Sequence, residues 1–457
     1  MAKSSFGNHL DWKFIQSFGD DNSNEDDLVT AVEFDETGEF LAVGDKAGRI
    51  CIFESHTTTD LSTLLKPDER KQARSPPIEY KFYTEFQSHE AEFDCLKSLE
   101  IGEKINMVKW GKRQGSGLFV LATNDKTIKL WKVHENKIKK VQRPAPQLHG
   151  GAGQQLVIPS LSLSHSQTCH TPKRTFSNAH GYHINSISIN SDGETFISTD
   201  DLRINLWNME VSHESFNIVD VKPCNLEELT EVITSATFHP THCNLLIHSS
   251  SRGSIRLVDL RDSALCDHHS KLYEVEEDPS SKSFFSEIIS SICDIKFTPD
   301  GNHILSRDYL TMKMWDVRME NRPVSSIPVH DYLTMYLCDL YENDCIFDKF
   351  ECAVSPDGKQ FLTGSYNNHF VIHDTETNDS LAIEALKDPP PRNVNSASSA
   401  ASLSSNTSTS SNQTQSTPDN PNVNFMDFGK KALHVDWHPS ADVVAVAGLN
   451  KLYVYEA

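Results

Sequence analysis

The chain has 457 residues, of which 37% are hydrophobic and 23% charged. That is enough apolar content for a large folded core, and it excludes a wholly disordered chain. The 42 basic and 64 acidic residues leave a net charge of −22, which repels phosphate backbones and anionic lipid. General nucleic-acid or membrane-surface binding is therefore not expected, and basic partners are favoured.

Taken from the N-terminus, the run MAKSSFGNHLDW has no apolar core, so no secretory leader is expected there. No stretch reaches the roughly 18 apolar residues of a membrane span. LDWKFIQSF, residues 10–18, alternates like a strand. Seven copies of one pattern follow: an alternating apolar run, a turn of Pro-Asp-Gly or Asp-x-x-Gly type, a second apolar run, a small polar turn, and a third run ending in an aromatic residue or Asp. They lie near residues 32–53, 105–131, 184–207, 233–259, 292–316, 350–374 and 433–456. Each copy supplies three strands. Segments between copies, such as SFNIVDV at 215–221 and PVSSIPV at 323–329, supply a fourth. Seven four-stranded units predict an all-β fold, a seven-bladed WD40-like β-propeller over residues 10–457. The endings IKLW and INLW match the Trp-Asp signature in part, and Trp315–Asp316 carries it in full. The last copy holds only three strands, and an unclosed ring exposes sheet edges. Residues 10–18 are thus expected to complete the last blade. Deleting residues 448–457 should abolish soluble folding, and deleting residues 1–7 should not.

Two insertions stand out. Residues 133–175 separate the second and third copies; the basic run KVHENKIKKVQR is followed by the alternating QQLVIPSLSLSH. A protruding hairpin and an ordinary long surface loop both fit. Residues 393–423 are rich in Ser, Asn and Thr and cannot bury enough surface to offset ordering entropy, so a disordered spacer is expected. The ten Cys are scattered without a C-x-x-C pair, as in a reduced, intracellular protein. A cytoplasmic location is expected, with nuclear entry left open.

The chain lacks the phosphate-loop, dinucleotide, zinc-protease and serine-hydrolase motifs. Cys266 with His268 and His269, and His239 with His242 and Cys243, lack the second spaced pair of a tetrahedral metal site and read as turns. The adjacent carboxylates Asp200–Asp201 and Glu227–Glu228 would point to opposite faces of a strand, which argues against an acid/base pair. No enzyme, cofactor or metal is expected.

The turns between second and third strands say more. They read Gly44-Asp45-Lys46, Asn124-Asp125-Lys126, Asp200-Asp201-Leu202 and Arg307-Asp308-Tyr309. One Asp per turn is explained by hydrogen bonds to local backbone N–H groups. That leaves Lys46 and a second Asp at 200–201 unexplained, on a rim where all these turns meet. CNLEELTEV, 224–232, sets Glu227 and Glu228 beside Leu226 and Leu229. It suits either a basic amphipathic ligand or a short helix packed on a blade edge. FQSHEAEFDCLKSLE, 86–100, interleaves acids with Phe86 and Phe93, as a binding loop or as a loop pinned by its own aromatics.

The strings FQSHEAEFDCLKSLE, TNDKTIKLW, HINSISINSDGETF, DDLRINLWN, NLEELTEVITSATFHP, SFFSEIISSI, RDYLTMKMWDVRMENRP and LYENDCIFDKFEC closely resemble the 55-kDa regulatory B subunit family of serine/threonine protein phosphatase 2A. The resemblance runs from about residue 10 to 380 and resumes near 425; the Ser/Asn tract and most of 141–170 depart from it. It implies a non-catalytic propeller that joins a scaffold subunit and a catalytic subunit and brings phosphoserine and phosphothreonine proteins, basic ones by charge, to the partner's active site. It implies a substrate groove at Glu25, Lys46, Phe86, Tyr182, His183, Asp201, Glu228 and Leu229, in which Asp201 attracts a basic side chain and Leu229 accepts an apolar one. It places the 86–94 loop, with Ser88, His89, Glu90 and Glu92, toward the catalytic subunit. The stretch with Lys132, Lys137, Lys139, Lys140 and Arg143 becomes a hairpin arm gripping the scaffold. A ubiquitin-ligase receptor or a general signalling scaffold are the other readings of such a propeller, separable by what copurifies.

Overall fold

The computed structural model describes residues 12–19, 24–57, 78–94, 98–142, 160–263, 265–266, 270–275, 283–385 and 427–457. Arg143, the His268–His269 pair and the 393–423 tract lie outside them.

Seven four-stranded antiparallel sheets form the blades of a propeller, and a two-stranded ribbon, Glu92–Asp94 with Leu99–Ile101, stands apart. Blade 1 comprises Val29–Phe34, Phe40–Asp45, Arg49–Thr57 and Ile78–Gln87, in that order from the axis outward. Blades 2 to 6 repeat this, with innermost strands Met107–Gln114, Ser186–Ile189, Ile233–Phe238, Asp294–Phe297 and Cys352–Val354. In blade 7, Ala432–Trp437, Val443–Gly448 and Lys451–Glu456 are joined by the N-terminal strand Lys13–Phe18, which pairs antiparallel with Lys451–Glu456. The ring therefore closes as expected, and blade 7 is completed to four strands like the others. Successive side chains of a strand enter the cores on its two sides: Phe40 and Ala42 pack toward blade 2, Leu41 and Val43 toward blade 7, and the strand Phe40–Asp45 is buried throughout. Trp131, for example, packs with Phe40, Ile52 and Val120 between blades 1 and 2.

Each innermost strand meets its neighbours' innermost strands around the axis. The inner edge of such a strand has no ladder partner, so its N–H groups need other acceptors. Side chains of the preceding blade provide them. Asp436 accepts from Phe34 N at 2.7 Å across the seam between blades 7 and 1. Ser186 and Ser188 accept from Ala236 N and Phe238 N at 3.1 and 3.0 Å. Asp294 accepts from Cys352 N at 3.1 Å, and Glu351 from Val435 N at 3.3 Å.

The turns between first and second strands form the lower face. Gly38 and Gly301 turn there at φ 75° and 70°. A histidine of the preceding blade covers each: a Cβ would fall 1.9 Å from His438 Nε2 at Gly38 and 2.3 Å from His239 Cε1 at Gly301. Turns between second and third strands, and the links from one blade to the next, form the upper face. The third and fourth strands of blade 2, Ile128–Gln142 and Ser160–Phe176, run past their neighbours and pair along their length as an arm directed away from that upper face. Of the two forms that composition allowed, the hairpin is the one present.

The link from blade 6 to blade 7 leaves and returns at one place. Ala385 N donates to Asn368 O at 2.8 Å, and Asp427 N donates to Asn367 Oδ1 at 2.8 Å. Both asparagines are left-handed, at φ 54° and 55°.

Candidate functional site

The upper face gathers most of the residues singled out from the sequence. In blade 3, the turn after Thr195–Thr199 holds two aspartates with different surroundings. Asp200 is buried and accepts from Leu202 N at 2.8 Å, Arg203 N at 2.7 Å and His180 Nδ1 at 2.9 Å. His180 continues through Ser198 to the Trp207 indole, at 2.6 and 2.8 Å. Burial disfavours the Asp200 carboxylate, but these donors overcome it and hold its pKa below the usual range. Asp201 makes no side-chain hydrogen bond or ion pair among the described residues and stays half-exposed. Burial raises its pKa, against the pull of Lys349. Its charge is uncommitted, where that of Asp200 is spent on the turn.

Around Asp201 stand the other residues of this face. Glu25 is in a one-turn helix, Glu25–Asp27, before blade 1, and pairs with Lys46. The hydrogen bond to Lys46 holds Glu25 below its ordinary pKa. Tyr182 is 40% exposed, and the exposed His183 lies 3.4 Å from Asp125. The 224–232 segment folds as a single helical turn, Leu226–Glu228, with no buried residue and Asn225 capping Glu227 N at 3.2 Å. It is not a helix packed on a blade edge. Glu227 and Glu228 are exposed, Leu226 is more exposed than the half-buried Leu229, and the turn belongs to a link on the upper face.

Three residues expected at surfaces are buried. Phe86 is 4% exposed; its ring lies 4.8 Å from Trp131 and stacks on His170 at 5.0 Å. It fills the gap between blades 1 and 2 and cannot line a groove. Ser88 and His89, expected in a partner-facing loop, are also enclosed. Ser88 Oγ accepts from the Trp131 indole at 2.8 Å and pairs with His89 Nδ1 at 3.0 Å, and His89 Nε2 reaches Thr127 O at 3.2 Å. Burial, helped by Lys129, pushes the His89 pKa down to about 3, so the ring is a neutral strut. Glu90, Glu92 and Phe93 remain exposed beyond this anchor.

Sequence reasoning missed an aromatic platform on the same face. The links before blades 5 and 6 carry short helices, Ser286–Ile289 and Leu337–Glu342, and a turn, Cys345–Phe347. They rest on a buried cluster of Tyr309, Leu333, Leu337, Leu340, Ile346, Phe350 and Tyr366. Above it Phe284, Tyr341 and Phe347 are 69%, 40% and 53% exposed, with Tyr341 5.6 Å from Phe284 and 5.9 Å from Phe347. The signal available was the Phe-Phe pair in SFFSEIISSI and the aromatics of LYENDCIFDKFEC, strings otherwise too polar for a core strand.

On the arm, Lys137, Lys139 and Lys140 are exposed, while Lys132 near its root lies over the Phe119 ring at 5.9 Å. The His239 ring of the His239–His242–Cys243 group is already occupied: Nε2 meets Gly301 O at 3.1 Å, and Nδ1 accepts from Thr241 N and His242 N. No cluster of three His, Cys, Asp or Glu among the described residues is arranged to hold a metal.

The WD domain, G-beta repeat family matches residues 170–208, which span most of blade 3. Over nearly full length the chain is similar to curated proteins of distant organisms. It is 47% identical to the serine/threonine-protein phosphatase 2A regulatory subunit phr2AB of Dictyostelium discoideum, covering 98% of each chain. It is 50% identical to the PP2A regulatory B subunit of Schizosaccharomyces pombe, covering 97% of each. It is 48% identical to the B-beta isoform of the 55 kDa regulatory subunit of serine/threonine protein phosphatase 2A in Arabidopsis thaliana, covering 98% of this chain and 97% of the relative.

Proposed function

Because the chain belongs to the 55-kDa regulatory B subunit family of serine/threonine protein phosphatase 2A, we propose that its upper face recruits phosphoserine and phosphothreonine proteins to a catalytic subunit carried by another chain. The chain is a regulatory subunit and not the catalytic one. The observation that carries the recruitment reading is the pairing of an uncommitted carboxylate, Asp201, with the exposed Leu226 and half-buried Leu229 and the platform of Phe284, Tyr341 and Phe347 on one face. A basic and partly apolar segment fits that combination: its cation meets Asp201, and its apolar side chains cover the leucines and rings. The acidic balance of the chain steers such a segment inward, more weakly as salt rises. Glu25, Lys46, Tyr182, His183 and Glu228 border this surface and complete the proposed site.

Assembly uses other parts. We assign the exposed lysines of the arm to a scaffold subunit, and Glu90 and Glu92, held out by the Ser88–His89 anchor, to the side facing the catalytic subunit. The arm is directed away from the upper face, so scaffold and substrate can be held together. The free cysteines among the described residues suit a reducing compartment such as the cytoplasm.

The test is charge reversal, Asp201→Lys, in the tagged chain. Scaffold and catalytic subunits should still copurify, while dephosphorylation of a basic phosphoprotein falls. The expected loss is about 1–2 kcal/mol of binding, between an exposed rim pair and a fully desolvated one. Loss of assembly, or unchanged dephosphorylation, would overturn the reading.

A further inference from the structure

The innermost strands surround a channel that encloses about 850 Å³. Its wall is uneven. Blades 3 and 4 line it with Ser186, Ser188, Ser235 and Thr237. Blades 1, 2 and 5 to 7 line it with Glu33, Lys109, Lys296, Glu351 and Asp436. Most of the carboxylates here accept a backbone N–H of the next blade, as Asp294, Glu351 and Asp436 do. Glu351 is also 3.0 Å from His434, and Lys296 is 3.5 Å from Asp294.

Glu33 is different. One of its oxygens meets Lys109 at 3.1 Å. The other, Oε2, is enclosed and has no hydrogen-bond partner. Glu33 adjoins Phe34, whose N–H Asp436 takes, so its charge faces that of Asp436 across the seam where the last blade meets the first. An ionised Glu33 leaves a desolvated oxygen unsatisfied and sets two like charges beside one seam; a proton removes both penalties. The groups that bear on it are Lys109 from blade 2, Asp436 from blade 7 and Lys296 from blade 5. Asp294, Glu351 and His434 form the next layer.

We propose that Glu33 is a proton-linked catch on ring closure, which holds blades 1 and 7 together more firmly when its carboxyl is protonated than when it is ionised. Burial supports this, pushing the carboxyl up to about 7, with Lys109 working against burial and Asp436 adding to it. The folded chain then binds more protons than the unfolded one between the ordinary value of 4.5 and about 7. Stability from this group is complete below that window and is lost as pH rises through it.

The experiment is thermal unfolding of the full chain and its Glu33→Gln variant from about pH 4.5 to about pH 8.5, which spans the range where the folded chain keeps the Glu33 proton and the unfolded chain does not. The wild type should lose melting temperature relative to the variant as pH rises, and the difference should level off above pH 8 or so. A difference that stays constant across the range overturns the proposal. Should Glu33→Gln fail to fold, Asp436→Asn keeps an acceptor for Phe34 N and removes the facing charge. It should flatten the same pH dependence, and an unaltered slope there is equally fatal. Hydrogen exchange at residues 29–34 and 432–437, corrected for the intrinsic rate, should rise with pH in the wild type and not in the variants. Exchange that rises equally in both would assign the effect to other groups.

Discussion

At the scale of single residues, adjacent side chains of one type divide into structural and available members. Asp200 and Asp201 are neighbours, yet one is saturated by two backbone N–H groups and a histidine and the other faces solvent uncommitted. Asp200→Ala should unfold the turn and the His180–Ser198–Trp207 relay behind it, a loss of about 2–4 kcal/mol for a buried charged acceptor. Chemical denaturation would show it, with substrate binding falling only as the fold does. The aromatics divide in the same way. Phe86→Ala should cost about 3–5 kcal/mol, the usual range for emptying a packed ring site. Phe347→Ala, at an exposed ring, should leave the denaturation midpoint nearly unchanged and weaken recruitment of a basic phosphoprotein. If Phe347→Ala instead unfolds the chain and Phe86→Ala weakens only binding, this division is wrong. Much of it was legible beforehand. The turn pattern accounts for one Asp and leaves one over at 200–201; the family resemblance was what pointed to Asp201 as that one. The burial of Phe86, Ser88 and His89 was not legible. It depends on Trp131, more than forty positions away and in another blade, and no local pattern announces that contact.

At the scale of elements, the seven copies were legible because short apolar or alternating strands recur in the same order and the turns between them carry Gly, Asn or Asp. The platform was not, because Ser286–Ile289 and Leu337–Glu342 are too short to show a helical period against the surrounding links. The lower-face histidines illustrate how elements are locked to one another. His239 Nδ1 accepts two backbone N–H groups while Nε2–H donates to Gly301 O, an arrangement open only to a neutral ring. His438 accepts from Ser440 N and Ala441 N in the same manner. Burial lowers the pKa of both from 6.5. For each, the unfolded state binds the proton more readily, so the stability they contribute is present above about pH 6.5 and falls as pH drops through their folded values. In the Glu33→Gln variant, where that carboxyl no longer adds its opposite effect, melting temperature should decline from pH 7 toward pH 5, with net proton uptake on unfolding measurable by calorimetry in two buffers. Proton release in that range would contradict this account. Gly38→Ala should break the same lock at neutral pH, through a forbidden φ and collision with His438, and lower the melting temperature more than an alanine placed at the open Gly115.

At the scale of the whole molecule, closure couples the two ends of the chain. Lys13–Phe18 gives Lys451–Glu456 its only outer partner in blade 7. Removing residues 1–18 should therefore leave an open edge, and aggregation during refolding should exceed that of a chain lacking residues 1–7 alone. Light scattering on refolding distinguishes the two. The ring also explains why a chain without a catalytic centre of its own suits a regulatory role. Two opposed faces and an arm on a rigid hub let separate partners be held at fixed relative positions.

The stapled link between blades 6 and 7 has a consequence of another kind. Ala385 and Asp427 are both secured by one Asn367–Asn368 turn, so the two ends of the link are held side by side by blade 6 itself. The polypeptide there can be shortened, lengthened or exchanged at a cost that grows only with the logarithm of its length. Replacing residues 388–424 by a brief Gly/Ser bridge should leave the melting temperature where it was. The same position is a natural port for graft and insertion: a whole foreign domain could be spliced in beside the upper face, where it would share in whatever that face gathers.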